Sequence, residues 1–268
     1  MNTLNVNYTK TFPAVGYTGS SGSYKAAIET IKEAMEKALE NSPIGLDYVE
    51  TDTETSYKVR FFFSLGEKML FCMVFNVNST YASNGTYNGT VFYCLHDKEN
   101  KPFASALQTN NNAGNYSLTW NNNNSVVTVT ISFSIDYMLE GTSAKVLYGV
   151  RGSSKKATSL MIATLHEADG SEKVVAGLIY SNSCVLYNIN TMDNVGSVWT
   201  SNFAFSAENK ILLGKLLVKG NAGNSIIGYL DFYDVYGDVT EEYMTRVLID
   251  VEGTRYREVS GPVWVKEA

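Results

Sequence analysis

"SVVTVTISFSI", residues 125–135, sets Val127, Val129, Ile131, Phe133 and Ile135 in alternation with Thr128, Thr130, Ser132 and Ser134. A period of two sends successive side chains to opposite faces of a strand, here one apolar and one wet. The rhythm extends upstream through "SYKVRFFF", "KMLFCMVFNV", "GTVFYCLH" and "YSLTW". Downstream it continues in "SLMIATLHE", "KVVAGLIYS", "CVLYNI", "KLLVKG", "IIGYLDFYD", "TRYREV" and "PVWVKEA". Clusters of Asn, Gly and Ser separate the runs, as turn chemistry requires. The chain is therefore expected to be mainly β from residue 46 onward.

One stretch breaks the pattern. In "SYKAAIETIKEAMEKALENSP" the residues Ala27, Ile28, Ile31, Ala34, Met35, Ala38 and Leu39 fall on one face at helical spacing. Lys25–Glu29, Lys32–Glu36 and Glu33–Lys37 occupy the other face. Ser23 is the expected N-cap, and Asn41, Ser42 and Pro43 the stop. The preceding 22 residues, polar and Gly-rich, read as an irregular arm.

The β-segments also look duplicated. "SVVTVTISFS" (125–134) matches "SVWTSNFAFS" (197–206) at five of ten positions, 72 residues apart. "LHDKEN" (95–100) and "LHEADG" (165–170) hold the two histidines, His96 and His166, 70 residues apart. "GLIYSNSCVLYNI" (177–189) and "VLIDVEGTRYREV" (247–259) both read strand, turn, strand. A fixed period of this length is the mark of a repeat. The expected architecture is an arm, helix and lead strand (1–62), then three tandem antiparallel β-sandwich-like repeats at 63–132, 133–204 and 205–268.

Composition narrows the function. A net charge of −6 and a pI near 5.1 supply no basic stripe for a phosphate backbone, so a nucleic-acid partner is not expected. No apolar run reaches spanning length, so membrane insertion by a helix is not expected. The start "MNTLNVNYTKTFPAVGYTG" lacks the basic and apolar regions of a secretory signal. Cys72, Cys94 and Cys184 show no CxxC spacing and read as reduced, buried small hydrophobes.

Candidate sites are few. His96 and His166 lack HxH or HExxH spacing, and no GxSxG or papain-like context surrounds a nucleophile. Each reads as a dispensable strand-end residue beside a turn acid. Asp231, Asp234, Asp238, Glu241 and Glu242 depart from the ligand order of a calcium loop and read as solvated acids. "GNAGNS" (220–225) lies between strands, whereas a phosphate loop needs a following helix. No catalytic residue, cofactor site or metal site is expected. The Asn runs at 109–115 and 120–125 offer one ligand reading: a sugar held by Asn122 and Asn123, with Tyr116 and Trp120 as stacking faces.

Over about residues 140–268 the chain resembles virion structural proteins of phages and prophages. "SLMIATLHEADGSEKVVAGLIYSNSCVLYNI" and the terminal "VLIDVEGTRYREVSGPVWVKEA" carry the resemblance. It implies a terminal hairpin with a Gly-centred turn and a last short strand. It also implies a non-enzymatic subunit of a tail, baseplate, neck or capsid surface, made in the bacterial host cytoplasm. Its partners would be other copies of itself or other virion proteins. The competing reading is a glycan-binding or adhesion module for a host surface, built on the Tyr116, Trp120, Asn122 and Asn123 set.

Overall fold

In the computed structural model the chain is described over residues 2–77, 84–99, 106–123, 125–140, 144–151, 159–179, 184–198, 212–223, 225–236, 248–251, 253–260 and 263–266. Among these residues it is mainly β with one helix, as the alternation predicts. It divides into two compact units, one of residues 2–137 with 149–157, the other of 138–148 with 158–268.

The first unit is a curled sheet around the helix. Its elements are β1 (Asn2–Pro13), α1 (Gly19–Glu40), β2 (Tyr48–Asp52), β3 (Lys58–Ser64), β4 (Met69–Asn76), β5 (Gly85–Asp97), β6 (Ala106–Asn122) and β7 (Val126–Glu140). Strands β2 to β7 form an antiparallel meander, and β1 pairs with the far side of β7 along its whole length. The helix packs against both β3 and β1. In a flat sheet these strands would lie five spacings apart, roughly 24 Å. A helix is only about 10 Å across. The sheet must curl to bring both strands to it, and it does. Ala27, Ile28, Ile31, Ala34, Met35 and Leu39 are buried on the expected face.

Two expectations at the N-terminus are corrected. The first residues form a strand, not an irregular arm, with Val6 and Phe12 buried and most other positions exposed. The helix begins at Gly19 after an N-cap at Thr18, so Ser23 lies inside it, buried, and caps nothing. Gly22 is required near the start of the helix because the Tyr17 backbone crosses close by: a Cβ there would meet the Tyr17 carbonyl carbon at 2.6 Å.

The second unit contains a closed barrel. Its strands are β9 (Ser159–Glu167), β10 (Glu172–Ile179), β11 (Val185–Asn188), β12 (Asn194–Val198), β13 (Leu212–Lys219) and β14 (Ile226–Tyr236). Each pairs antiparallel with the next, and β14 returns to β9 through Gly228↔Glu167, Tyr229↔His166 and Leu230↔Leu165. Closure removes the sheet edges. Met161, Leu165, Val175, Leu186, Leu216 and Phe232 lie in the apolar cluster that fills the interior. The strand β8 (Ala144–Arg151) pairs with the other half of β9. An extension of β15 (Leu248–Val251), β16 (Thr254–Ser260) and β17 (Val263–Lys266) joins β14 at Tyr233↔Trp264.

This partition differs from the expected boundaries at 63, 133 and 205. The barrel takes strands from both sides of residue 205, because pairing of β12 with β13 and of β14 with β9 closes one shared core. The two strand–turn–strand segments also occupy different places. β10–β11 is part of the barrel wall, and β15–β16 lies outside its closure. Residues 199–206, on which the ten-residue match depends, lie outside the described residues.

The closing seam leaves no room at Gly228, where a Cβ would run into the His166 carbonyl oxygen. Gly228→Val should lower unfolding free energy by about 1–3 kcal/mol or more, the cost of forcing atoms into a packed site. Gly45→Ala, where a Cβ meets nothing within 4 Å, should stay within about 0.5 kcal/mol of wild type in the same denaturation experiment.

Candidate functional site

The strongest electrostatic cluster in the described barrel is built on four of its strands. His166, the penultimate residue of β9, faces outward, since its neighbour Leu165 points into the core. Its register partners are Glu172 on β10 and Tyr229 on β14. Opposite Lys215 the β14 strand carries two extra residues, Asp231 and Phe232, because Leu216 pairs with Leu230 and Lys215 with Tyr233. Such bulges redirect side chains. Phe232 enters the core, and Asp231 reaches His166.

His166 Nδ1 lies 3.0 Å from Glu172 Oε1, and Nε2 lies 2.9 Å from Asp231 Oδ2. Lys215 Nζ donates to Asp231 Oδ1 at 3.1 Å. The imidazole stacks on Tyr229 with ring centroids 4.8 Å apart, and the Lys215 ammonium sits 5.7 Å from the same ring. The bond to Asp231 raises the His166 pKa most, against the opposing effect of burial; Glu172 adds to the rise. Burial pushes Asp231 up, but the bonds from His166 and Lys215 prevail and hold it below its ordinary value. With both ring nitrogens directed at carboxylates, protonated His166 works as a clasp joining β10, β9 and β14, with Lys215 tying in β13. A general base would need a nitrogen facing its substrate.

His96 has a different setting. It is 3% exposed on β5, opposite Leu70, with its Nε2 2.9 Å from Cys94 Sγ. Cys94 faces Cys72 directly across β4 and β5, and the Phe62 ring meets the imidazole edge-on. The thiol of Cys72 donates to Cys94, which with His96 favours the Cys94 thiolate, while burial raises Cys72. A cysteine beside histidine is the pairing of a thiol nucleophile. Here both cysteines are fully buried, so the group is packed within the apolar cluster of Phe62, Leu70 and Val74. Both histidines sit at strand ends beside an acid as expected, His96 next to Asp97 on β5 and His166 next to Glu167 on β9; His96, however, is buried and bonded rather than a dispensable surface residue. The two histidines have no partner in common among these contacts.

The expected sugar set is split by strand alternation. Tyr116 and Trp120 point inward and are 0% and 1% exposed, so neither ring face is open to a sugar. The Tyr116 ring covers Gly89, and its hydroxyl donates to the Asn76 carbonyl at 3.1 Å. Asn122 donates its backbone N–H to Asn84 Oδ1, and Asn123 Oδ1 accepts from the N–H groups of Ser125 and Val126 as a turn. Of the acidic cluster, Asp231 belongs to the His166 clasp. The side chains of Asp234, Asp238, Glu241 and Glu242 lie outside the described residues.

The Cys72–Cys94–His96 alignment escaped the sequence reading. "CLH" places Cys94 and His96 on one strand face, but only the β4–β5 register brings Cys72 opposite. Among the described residues, no group of three or more His, Cys, Asp or Glu has metal-holding geometry, and no helix is long and apolar enough to cross a membrane. Comparison with protein-family models, curated proteins and solved structures finds no match.

Because the folded pKa of His166 is raised, its stabilisation is complete below the unfolded value near 6.5 and is lost as pH rises through the folded value. Melting temperature should fall by roughly 2–4 °C between about pH 6 and pH 8. His166→Gln should remove that slope in the same scan. His96→Asn should cost about 1–3 kcal/mol at neutral pH, since it changes a buried, bonded ring. Equilibrium denaturation measures it.

Proposed function

We propose that this chain is a non-enzymatic structural subunit of a bacteriophage or prophage virion, part of a tail, baseplate, neck or capsid surface. It works through its surfaces, contacting copies of itself or other virion proteins. The observation that carries the reading is the terminal extension. Within "VLIDVEGTRYREVSGPVWVKEA", on which the resemblance to virion proteins rests, Leu248–Val251 and Thr254–Ser260 pair as a hairpin with Gly253 in its turn, and a short strand, Val263–Lys266, follows. A Gly-centred hairpin followed by a short strand is the arrangement the resemblance implies. The extension hangs on β14 outside the barrel closure. Strands in such a position are suited to pairing with a neighbouring subunit.

Two further features favour a structural role. The barrel centre is occupied by its own apolar side chains. The polar groups that sequence reading flags for chemistry are engaged with one another, His166 with acids and His96 with Cys94. Synthesis in a bacterial host and residence in the particle follow from the same reading.

Quantitative mass spectrometry of purified particles tests it. The chain should occur in a fixed ratio to the major capsid protein, and that ratio should survive density-gradient purification. Its absence from particles, with the free chain abundant in the same lysate, would overturn the proposal.

A further inference from the structure

The outer face of the curled sheet has an unusual chemistry. On β1 the inward residues Tyr8 and Lys10 reach the helix: Lys37 Nζ donates to the Tyr8 hydroxyl, and Lys10 pairs with Glu33 at 2.8 Å. The alternate positions from 5 to 11 therefore point away from α1. The corresponding outward positions are 128–134 on β7, 115–121 on β6 and 86–90 on β5, each counted by twos. Every one of these fifteen positions is Asn, Ser or Thr, and every one is exposed or half-exposed. Protein surfaces commonly carry a quarter or more charged residues. None of these fifteen is charged; the next outward position on β7, Asp136, is buried and accepts from Thr3 at 2.8 Å.

The groups are ordered in ranks across the strands. Thr86 Oγ1 lies 3.0 Å from Thr119 Oγ1, Thr119 is the register partner of Thr130, and Thr130 Oγ1 lies 2.8 Å from Thr9 Oγ1. The next rank runs from Asn88, which accepts from Ser117 at 3.1 Å, through Ser132 to Asn7. Strands lie about 4.8 Å apart, and outward residues about 6.8 Å apart along each strand. The β-branched threonines are stiff at χ1, so the hydroxyls are held before any ligand arrives. A hydroxyl has one donor and two acceptor positions, and an Asn amide two of each. Thr9, Thr86, Thr119 and Thr130 each use one of three hydroxyl positions in these cross-strand bonds.

We propose that this face binds a neutral polysaccharide laid across β5, β6, β7 and β1. A nucleic acid would demand basic groups, an ionic protein surface would demand opposite charges, and a lipid or apolar partner would demand apolar area. Uncharged donors and acceptors in a regular array match a ligand whose surface is likewise uncharged hydroxyl. The inference names a partner for the structural role proposed above. It replaces the buried Tyr116 and Trp120 faces with a different set of residues on the opposite side of β6.

The test uses the purified full chain in native affinity electrophoresis, with gels containing cellulose derivatives, β-glucan, dextran or mannan, and heparin as a charged control. Retardation is expected in at least one neutral gel, insensitive to salt. Thr119→Lys and, separately, Ser132→Lys should each weaken it at least tenfold, with circular dichroism and melting temperature confirming the fold. No retardation by any neutral polymer, retardation by heparin alone, or binding indifferent to both substitutions would overturn the proposal. So would self-association abolished by these substitutions without glycan binding, which would assign the face to a second copy of the chain. Because the assay needs no particle, its failure is distinct from absence of the chain from virions.

Discussion

A strand has two faces, and the alternation of side chains between them governs both units. On β6 it turns Tyr116, Leu118 and Trp120 into the core and leaves Ser117, Thr119 and Asn121 outside. On β7 it does the same with Val127, Val129, Ile131 and Phe133. Shifting either strand by one residue would exchange its whole apolar set for hydroxyls and amides. The register is thereby fixed by burial, and the neutral outer face is the other half of the same constraint. In the barrel, Leu165 and His166, or Leu230 and Asp231, are adjacent in sequence yet lie on opposite sides of the wall between core and solvent.

Polar clusters then seat the elements that alternation alone leaves free to slide. Lys10, Glu33, Lys37 and Tyr8 join α1 to β1, and the bond from Lys10 holds Glu33 down to about 2. Asp52 accepts bonds from the N–H groups of Glu54, Thr55 and Ser56 and from the Thr55 and Ser56 hydroxyls, closing the β2–β3 turn. The His166 cluster does comparable work on the barrel wall. Each such contact at a surface is modest in energy. Their common effect is to choose one seating among several of similar burial. The steric block at Gly228 is of another kind, because it sets how closely β9 and β14 approach where the barrel closes.

Local patterns in the sequence reveal much of this, and non-local ones do not. The strands β3, β4, β7, β9 and β10 are legible because their apolar runs end at turn clusters. The helix is legible from its stripe, but its start is displaced, since Gly22 and Ser23 resemble a break until the Tyr17 backbone is seen crossing there. β1 is hidden because only Val6 and Phe12 of its twelve residues are fully buried. The barrel closure is illegible because β9 and β14 meet across more than sixty residues of chain with no local signature. Trp120 shows the limit of residue chemistry as a guide. An aromatic in an Asn-rich run suggests a sugar-stacking platform, yet its place in the alternation puts it inside and its neighbours Thr119 and Asn121 outside. The Thr ranks need three strand registers at once, and no linear reading holds them.

Cysteine scanning along residues 116–121 and 127–132, in a background where Cys72, Cys94 and Cys184 are already buried, tests the assignment of faces most directly. Thiol labelling of the native chain should alternate with a period of two, fast at 117, 119, 121, 128, 130 and 132 and blocked at 116, 118, 120, 127, 129 and 131. Labelling with no alternation, or with the phase reversed on either strand, would contradict it.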